Sequence, residues 1–210
     1  MKLDSKVEYV LAEYGERMKA EDALRKKLPR QEWLARRDEF LLEVGEAVGA
    51  LLNILVREAG ARTILEVGTS YGYSTIWLAD AARATGGQVI TLDVNAQKQD
   101  HARRMLEKAG LANHVVFRCG DALQLIGQMT EIVDFALIDL WKDVYIPCFD
   151  LVAAKLAPGG LIAADNMIFP PDNQAMAEQY RSHVRRKGFD SILLRAGHGI
   201  EVSQLPQRNT

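Results

Sequence analysis

The sequence predicts an α/β protein: a seven-stranded, mostly parallel sheet covered by helices on both faces, with a helical cap at its N-terminus. Three observations predict it. The 210 residues are 48% hydrophobic and 26% charged, enough for one domain with a sizeable core and too few for two. Residues 1–60 repeat apolar positions every three or four residues, the period of a helix. From Ala61 onward, short β-branched runs alternate with longer amphipathic stretches, the pattern of parallel strands joined through covering helices.

Helical spacing runs over about 4–27 and again over about 31–59, where Phe40, Leu41, Val44, Val48, Leu51, Leu52 and Leu55 recur. Pro29 divides the two helices, because its ring removes a donor and disfavours helix in the residue before it. These residues, 1–60, form the cap. Strands are expected at 63–67, 89–93, 115–118, 133–139 and 161–165. Helices follow the first two strands, to about Ala84 and Ala109, and further ones follow Asp121, Asp143 and Asn173. A last pair, 191–195 and 200–204, is separated by a Gly197-His198-Gly199 turn and reads as a closing antiparallel hairpin. The core unit is thus 61–205 of a single domain, 1–210, and 206–210 reads as a frayed end.

Lys and Arg number 26 against 28 Asp and Glu, a net charge of −2, which offers a polyanion no attraction and makes nucleic acid an unexpected partner. Charges interrupt the apolar positions of the first residues, so neither a signal-peptide core nor a ~20-residue membrane span is present, and the cytoplasm is the expected compartment. Cys119 and Cys148 fit no disulfide framework or zinc spacing and read as small core residues. An exposed apolar stripe on the N-terminal helices would suit a homodimer.

In open parallel sheets ligands bind beyond the carboxyl ends of the strands, and three of the expected strands stop at an Asp. The first strand runs Glu66-Val67-Gly68 into Thr69-Ser70-Tyr71-Gly72-Tyr73-Ser74. This is not the G-x-G-x-x-G that seats a pyrophosphate on a helix N-terminus, and Glu66 would sit badly beside one. An acidic glycine loop suits a cation, and S-adenosylmethionine presents a sulfonium, an ammonium and two ribose hydroxyls without phosphate. Asp93 would accept both ribose hydroxyls, by the logic that gives dinucleotide sites an acid about 20 residues on. Asp121, in Cys119-Gly120-Asp121, could reach the adenine amine. Such acids also serve as helix N-caps.

A second constellation joins Asp139 to Asp165-Asn166. Two carboxylates and an amide oxygen at neighbouring strand ends suit Mg²⁺ or another hard divalent cation and leave positions open for substrate; a pair of helix caps is the alternative. Lys142 lies three residues beyond Asp139, where it would serve as a general base or simply stand in solvent.

These residues resemble the magnesium-dependent catechol O-methyltransferase family, which includes enzymes of the caffeoyl-CoA type. The resemblance covers 39–204. Its segments are Val44-Gly45-Glu46-Ala47, Leu65-Glu66-Val67-Gly68 with Gly72-Tyr73-Ser74, Asp93-Val94-Asn95, Asp139-Leu140-Trp141-Lys142-Asp143-Val144-Tyr145 and Ala164-Asp165-Asn166; the Asp-x-Trp-Lys-Asp-x-Tyr run followed by Ala-Asp-Asn is the specific part. It implies a Rossmann-like class I methyltransferase fold with strand order 3-2-1-4-5-7-6. It implies metal ligation by Asp139, Asp165 and Asn166, Lys142 as the base for a phenolic proton, and cofactor contacts from Val44, Glu66, Gly68, Ser70, Ser74 and Asp93. Trp141 and Pro170 would wall a substrate slot, and Glu201 would meet the second hydroxyl of a catechol or related phenol, although it also reads as an exposed hairpin residue. Phe40 and Leu42 stand where the family has other apolar gate residues; they, Leu140 and 195–198 depart from the family pattern and bear on which acceptor is used.

One rival reading needs an answer. Gly68-Thr69-Ser70-Tyr71-Gly72 is also G-x-S-x-G between a strand and a helix, the nucleophile elbow of a serine α/β-hydrolase, with Asp165 and His198 following in the hydrolase order. Against it, the elbow ends the first strand here, no oxyanion segment precedes it, and Glu66, Asp93, Asp139 and Lys142 are left without a role.

Overall fold

A computed structural model describes residues 2–206 of the chain; the expected frayed end lies outside them beyond Pro206. Helix α1 (Ser5–Arg25) begins at Asp4, whose carboxylate accepts the Lys6 N–H and satisfies a donor that the first turn cannot. Its Val7, Val10 and Tyr14 are buried. The single helix expected over 31–59 is broken. A short helix α2 (Arg30–Arg36) and one turn of 3₁₀ helix (Arg37–Glu39) give way to an extended strap, 40–45, before α3 (Glu46–Glu58) begins. The strap buries Phe40, Leu41 and Val44, so it carries helix-like apolar spacing without being helical. Two backbone positions enforce this, Leu42 at φ 48° and Gly45 at φ 83°, and the second is open to glycine without steric cost.

The alternating region forms β1 (Thr63–Val67), α4 (Tyr73–Thr85), β2 (Gln88–Asp93), α5 (Ala96–Lys108), β3 (Val115–Cys119), α6 (Ala122–Gln128), β4 (Val133–Ile138), α7 (Tyr145–Ala153), β5 (Leu156–Ala164), α8 (Gln174–Arg186), β6 (Asp190–Leu194) and β7 (Ile200–Gln204). The seven strands make one sheet in the order β3-β2-β1-β4-β5-β7-β6, as expected, with β7 alone running against the rest. β5 starts earlier than expected, at Leu156, and its pairing with β4 is irregular there. Side chains alternate across the sheet. Ile64, Val89, Phe135, Leu137, Ala163 and Ile200 face α1, α3, α4 and α5, while Leu65, Val67, Leu92, Ala136, Ile138, Ile162 and Ala164 face α6, α7 and α8. Cys148 is buried as expected, but Cys119 ends β3 exposed.

Register places the site. Val67 is opposite Leu92 on one side and Ile138 on the other, and Ile138 is opposite Ala164. The next residue on each strand therefore falls in one row: Asp93, Gly68, Asp139 and Asp165. The chain turns from β1 to β2 on one side and to β4 on the other, so this row lies at the switch point where such sheets bind ligands.

Candidate active site

The glycine loop is built by close approach. A Cβ on Gly68, at φ 111°, would lie 2.0 Å from the Asp139 carbonyl oxygen, so β1 and β4 can end side by side only with glycine here. Ser70 takes φ 45° and its N–H donates to Asp93 Oδ2 at 2.7 Å, while Asp93 Oδ1 accepts the Asn95 N–H at 2.8 Å. Asp93 thus braces the loop and remains half-buried. Glu66 is fully buried. Its Oε1 accepts the Ser74 hydroxyl and its Oε2 the hydroxyls of Thr75 and Thr91, each at 2.6 Å. Burial raises its carboxyl to about 7 against these three donors.

Beside the loop, Lys142 is buried and its Nζ donates to the Asp165 carbonyl oxygen at 2.6 Å. Tyr145 supports the same arrangement: its hydroxyl donates to that carbonyl at 3.1 Å, and Lys142 Nζ lies 3.3 Å from the centre of its ring. Burial lowers the Lys142 pKa, a shift that Asp139 and Asp165 oppose; it raises Asp139, which Lys142 draws back, and raises Asp165, which Asp139 pushes further. Asn166, at φ 60°, turns its amide Nδ2 to Asp139 Oδ1 at 2.9 Å. Asp165 Oδ1 is buried without a partner. A buried carboxylate oxygen of that kind costs free energy unless a cation or donor meets it, so Asp139, Asp165 and Asn166 fit a hard cation. Among the described residues no three His, Cys, Asp or Glu side chains gather into a metal cluster; the set here is two carboxylates and an amide.

The strap closes the cleft from above. Leu41, Leu42, Glu43 and Val44 line it together with Gly68, Thr69, Ser70, Ser74 and Asp139. Glu21 holds the strap by accepting the Leu41 N–H at 2.7 Å, and Tyr71 of the loop donates its hydroxyl to the Glu39 carbonyl at 3.1 Å. A larger groove of about 570 Å³, lined by Ile146, Ala175, Glu178, Gln179, Ser182 and Arg186, is an open surface away from the strand ends.

Most of the expected site residues meet here, with two corrections, Glu201 and Phe40. Glu201 is neither an exposed hairpin residue nor open to a substrate: it is fully buried on the α8 face, where Arg181 at 3.0 Å and the Ser191 hydroxyl at 2.7 Å hold its two oxygens. The alternation of β7 decides this, since Ile200 takes the opposite face. Phe40 is buried and does not line the cleft, which Leu42 does. Asp121 caps α6, accepting the Gln124 N–H at 2.9 Å. Trp141 is half-exposed with the Arg37 guanidinium 4.0 Å over its ring. Pro170 follows Phe169 on the loop after Asn166, and the Phe169 ring stacks on His198. Two residues to which sequence reasoning gave no role belong to the site: Tyr145, which closes the Asp-x-Trp-Lys-Asp-x-Tyr run, and Glu43, which directly precedes the Val44 segment.

A family model described as O-methyltransferase matches residues 19–210. The chain belongs to the O-methyltransferase family. It is 35% identical over 131 residues to a catechol O-methyltransferase of Niastella koreensis, an alignment covering 60% of this chain and 59% of that enzyme, so the chain spans less than two thirds of that relative. It is 31% identical over 175 residues to caffeoyl-CoA O-methyltransferase 2 of Petunia hybrida, covering 75% of this chain and 69% of the other. Among solved structures, the O-methyltransferase from Bacillus cereus in complex with SAH superposes with a TM-score of 0.75 at 27% identity, covering 98% of this chain and 92% of that one. The hydrolase reading fails against this membership. The geometry agrees: among the described residues Ser70, Asp165 and His198 make no hydrogen bond to one another, and the Ser70 N–H is bound to Asp93.

Proposed function

We propose that this chain transfers a methyl group from S-adenosylmethionine to one hydroxyl of a catechol-like small molecule, with Mg²⁺ or another hard divalent cation held by Asp139, Asp165 and Asn166. The observation that carries the reading is the single row of strand ends, with Lys142 buried and fastened to the Asp165 carbonyl beside it. The SAH complex of the Bacillus cereus neighbour and the catechol and caffeoyl-CoA names of the relatives support it. Gly68, Ser70 and Asp93 offer the cofactor a close backbone and a carboxylate, with Val44 and Ser74 on the walls. When bound, the cation supplies positive charge that makes a nearby phenol more acidic and fixes its direction.

The remaining work falls to the chain. In its neutral form Lys142 spends one N–H on the Asp165 carbonyl and keeps a lone pair free to take the phenolic proton; burial favours that neutral form. A phenolate formed there would take the methyl group in line as the methyl–sulfur bond breaks and the sulfonium leaves as the neutral thioether, and the protein would contribute mainly by positioning. Calorimetry with SAH and with NAD, followed by turnover of a catechol and phenol panel with chelator and with restored Mg²⁺, tests the proposal. Expected are SAH binding, weakened by about 1.5–3 kcal/mol in Asp93→Ala, and turnover that chelator abolishes. Binding of NAD in place of SAH overturns the cofactor, and full turnover in excess chelator overturns the metal.

A further inference from the structure

A basic segment reaches the two loops that follow Asp139 and Asn166. Residues 25–37 hold six Lys and Arg against one acid, Glu32, in a chain whose net charge is −2. They are the end of α1, the turn at Pro29, α2 and the start of the 3₁₀ turn. Arg37 lies 4.0 Å over the Trp141 ring, two residues beyond Asp139, and Arg30 meets Asp172 at 3.2 Å, six residues beyond Asn166. Helix α2, seven residues and so about 10 Å long, therefore bridges the two loops. Both loops present aromatic rings: Trp141 on one and Phe169, stacked on His198, on the other, with Trp141 and Phe169 half-exposed. The second loop is fixed by its backbone, since the Ile168 and Phe169 N–H groups both donate to the His198 carbonyl, at 2.8 and 3.0 Å.

The acids around this segment are already engaged. Asp22 meets Lys26, Glu32 and Glu39 meet Arg36, Asp172 meets Arg30, and Asp38 meets Lys98. Of the segment's arginines, Arg25 and Arg37 meet no carboxylate among the described residues. Each lies over a ring instead, Arg25 at 5.3 Å from the centre of Trp33 and Arg37 over Trp141. Arg25 also stands beside the second loop: burial and its charge both disfavour a proton on His198. A guanidinium stacked on a ring keeps the N–H groups of its fork for an oxyanion. Resting on the proposed function, we infer that the acceptor is a catechol whose side chain ends in an anionic oxygen group, a carboxylate or a phosphate, and that Arg37 and Arg25 receive that group. They meet it away from the reacting atoms, so the charge selects the acceptor through binding and is read in KM more than in kcat.

Turnover by the full chain with S-adenosylmethionine and Mg²⁺ tests this on three acceptors: 3-(3,4-dihydroxyphenyl)propanoate, its primary amide, and 2-(3,4-dihydroxyphenyl)ethyl phosphate. A saturated spacer in each keeps the acidity of the phenols alike. Wild-type protein is expected to favour one or both anions over the amide by roughly tenfold or more in kcat/KM, on the scale of a hydrogen bond between charged groups, and added salt should shrink the preference. The anion with the larger preference identifies the group. Arg25→Gln with Arg37→Gln is expected to bring the ratio of anion to amide near one, and each single variant to lower it about threefold or more. Lysine at both positions keeps the charge without the fork and should retain part of the ratio. Wild-type protein that uses the amide as well as both anions overturns the inference without need of any variant. So do glutamine variants that keep the full ratio or that slow all three acceptors equally. Absence of turnover on all three overturns the proposed function, and this inference with it.

Discussion

Lys142 and Gly68 carry the sharpest demands on single side chains. A lysine ordinarily keeps its proton at neutral pH, with a reference pKa of about 10.4, and here burial works against the ammonium while Asp139 and Asp165 favour it. If Lys142 is the base, Lys142→Ala lowers kcat by roughly 10²–10⁴ and leaves SAH affinity nearly unchanged. The loss shrinks as pH rises, because a phenol ionised in solution no longer needs the base. Single-turnover rates across pH check this; a wild-type rate at neutral pH would make the lysine a bystander. Gly68→Ala forces a Cβ into the Asp139 carbonyl at 2.0 Å from a φ of 111°, so β1 and β4 must part. A loss of about 2–4 kcal/mol in urea unfolding is expected, with SAH binding lost even where the variant folds. Glu66, Gly68, Asp93, Asp139 and Asp165 were legible because each stands where a β-branched run stops. Glu201 and Glu43 were not, since one residue of alternation or one turn of backbone decides which way a carboxylate points.

At the scale of elements, α1 and the strap determine how the cleft is covered. Tyr14 of α1, buried, donates its hydroxyl to the Tyr71 carbonyl of the glycine loop at 2.6 Å. Tyr14→Phe leaves that carbonyl without its donor and is expected to cost about 1–3 kcal/mol in denaturant unfolding, with weaker SAH binding because the loop loses a support. Helix α3 approaches α4 at Gly49, where a Cβ would lie 2.4 Å from Trp77 Nε1. Gly49→Ala therefore overpacks the crossing, with an expected loss of about 1–3 kcal/mol despite alanine's better helix propensity; a more stable variant would show that the indole moves aside freely. The helices were readable from their period. The strap was not, because an extended peptide laid over a core also repeats its apolar residues at three- and four-residue intervals.

For the molecule as a whole, Glu66 links stability to pH. Its carboxyl is raised to about 7 in the folded chain by burial, against a usual value near 4.3 when unfolded. Between these values the folded chain holds a proton that the unfolded chain has released, so stability is fullest below the lower value and falls as pH rises through about 7. Urea unfolding of the ligand-free protein is expected to show a loss on the order of 1–3 kcal/mol from pH 5 to pH 8, and Glu66→Gln should flatten it. An unchanged slope in the variant would assign the effect to another group. A ligand that brings positive charge into the cleft favours the carboxylate, lowers the folded value and so makes the fall smaller.

By itself the sequence determined the order of strands and helices, the acids at the strand ends and the membership that the Asp-x-Trp-Lys-Asp-x-Tyr run announces, because period and chain punctuation are local properties. Only the tertiary structure decided that Asp93, Gly68, Asp139 and Asp165 form one row, that Lys142 and Tyr145 share the Asp165 carbonyl, that Glu201 turns away to Arg181, and that the strap brings Glu43 over the loop. The physical reason is that register between strands and the facing of a carboxylate are set by packing across the sheet, among residues far apart in the chain.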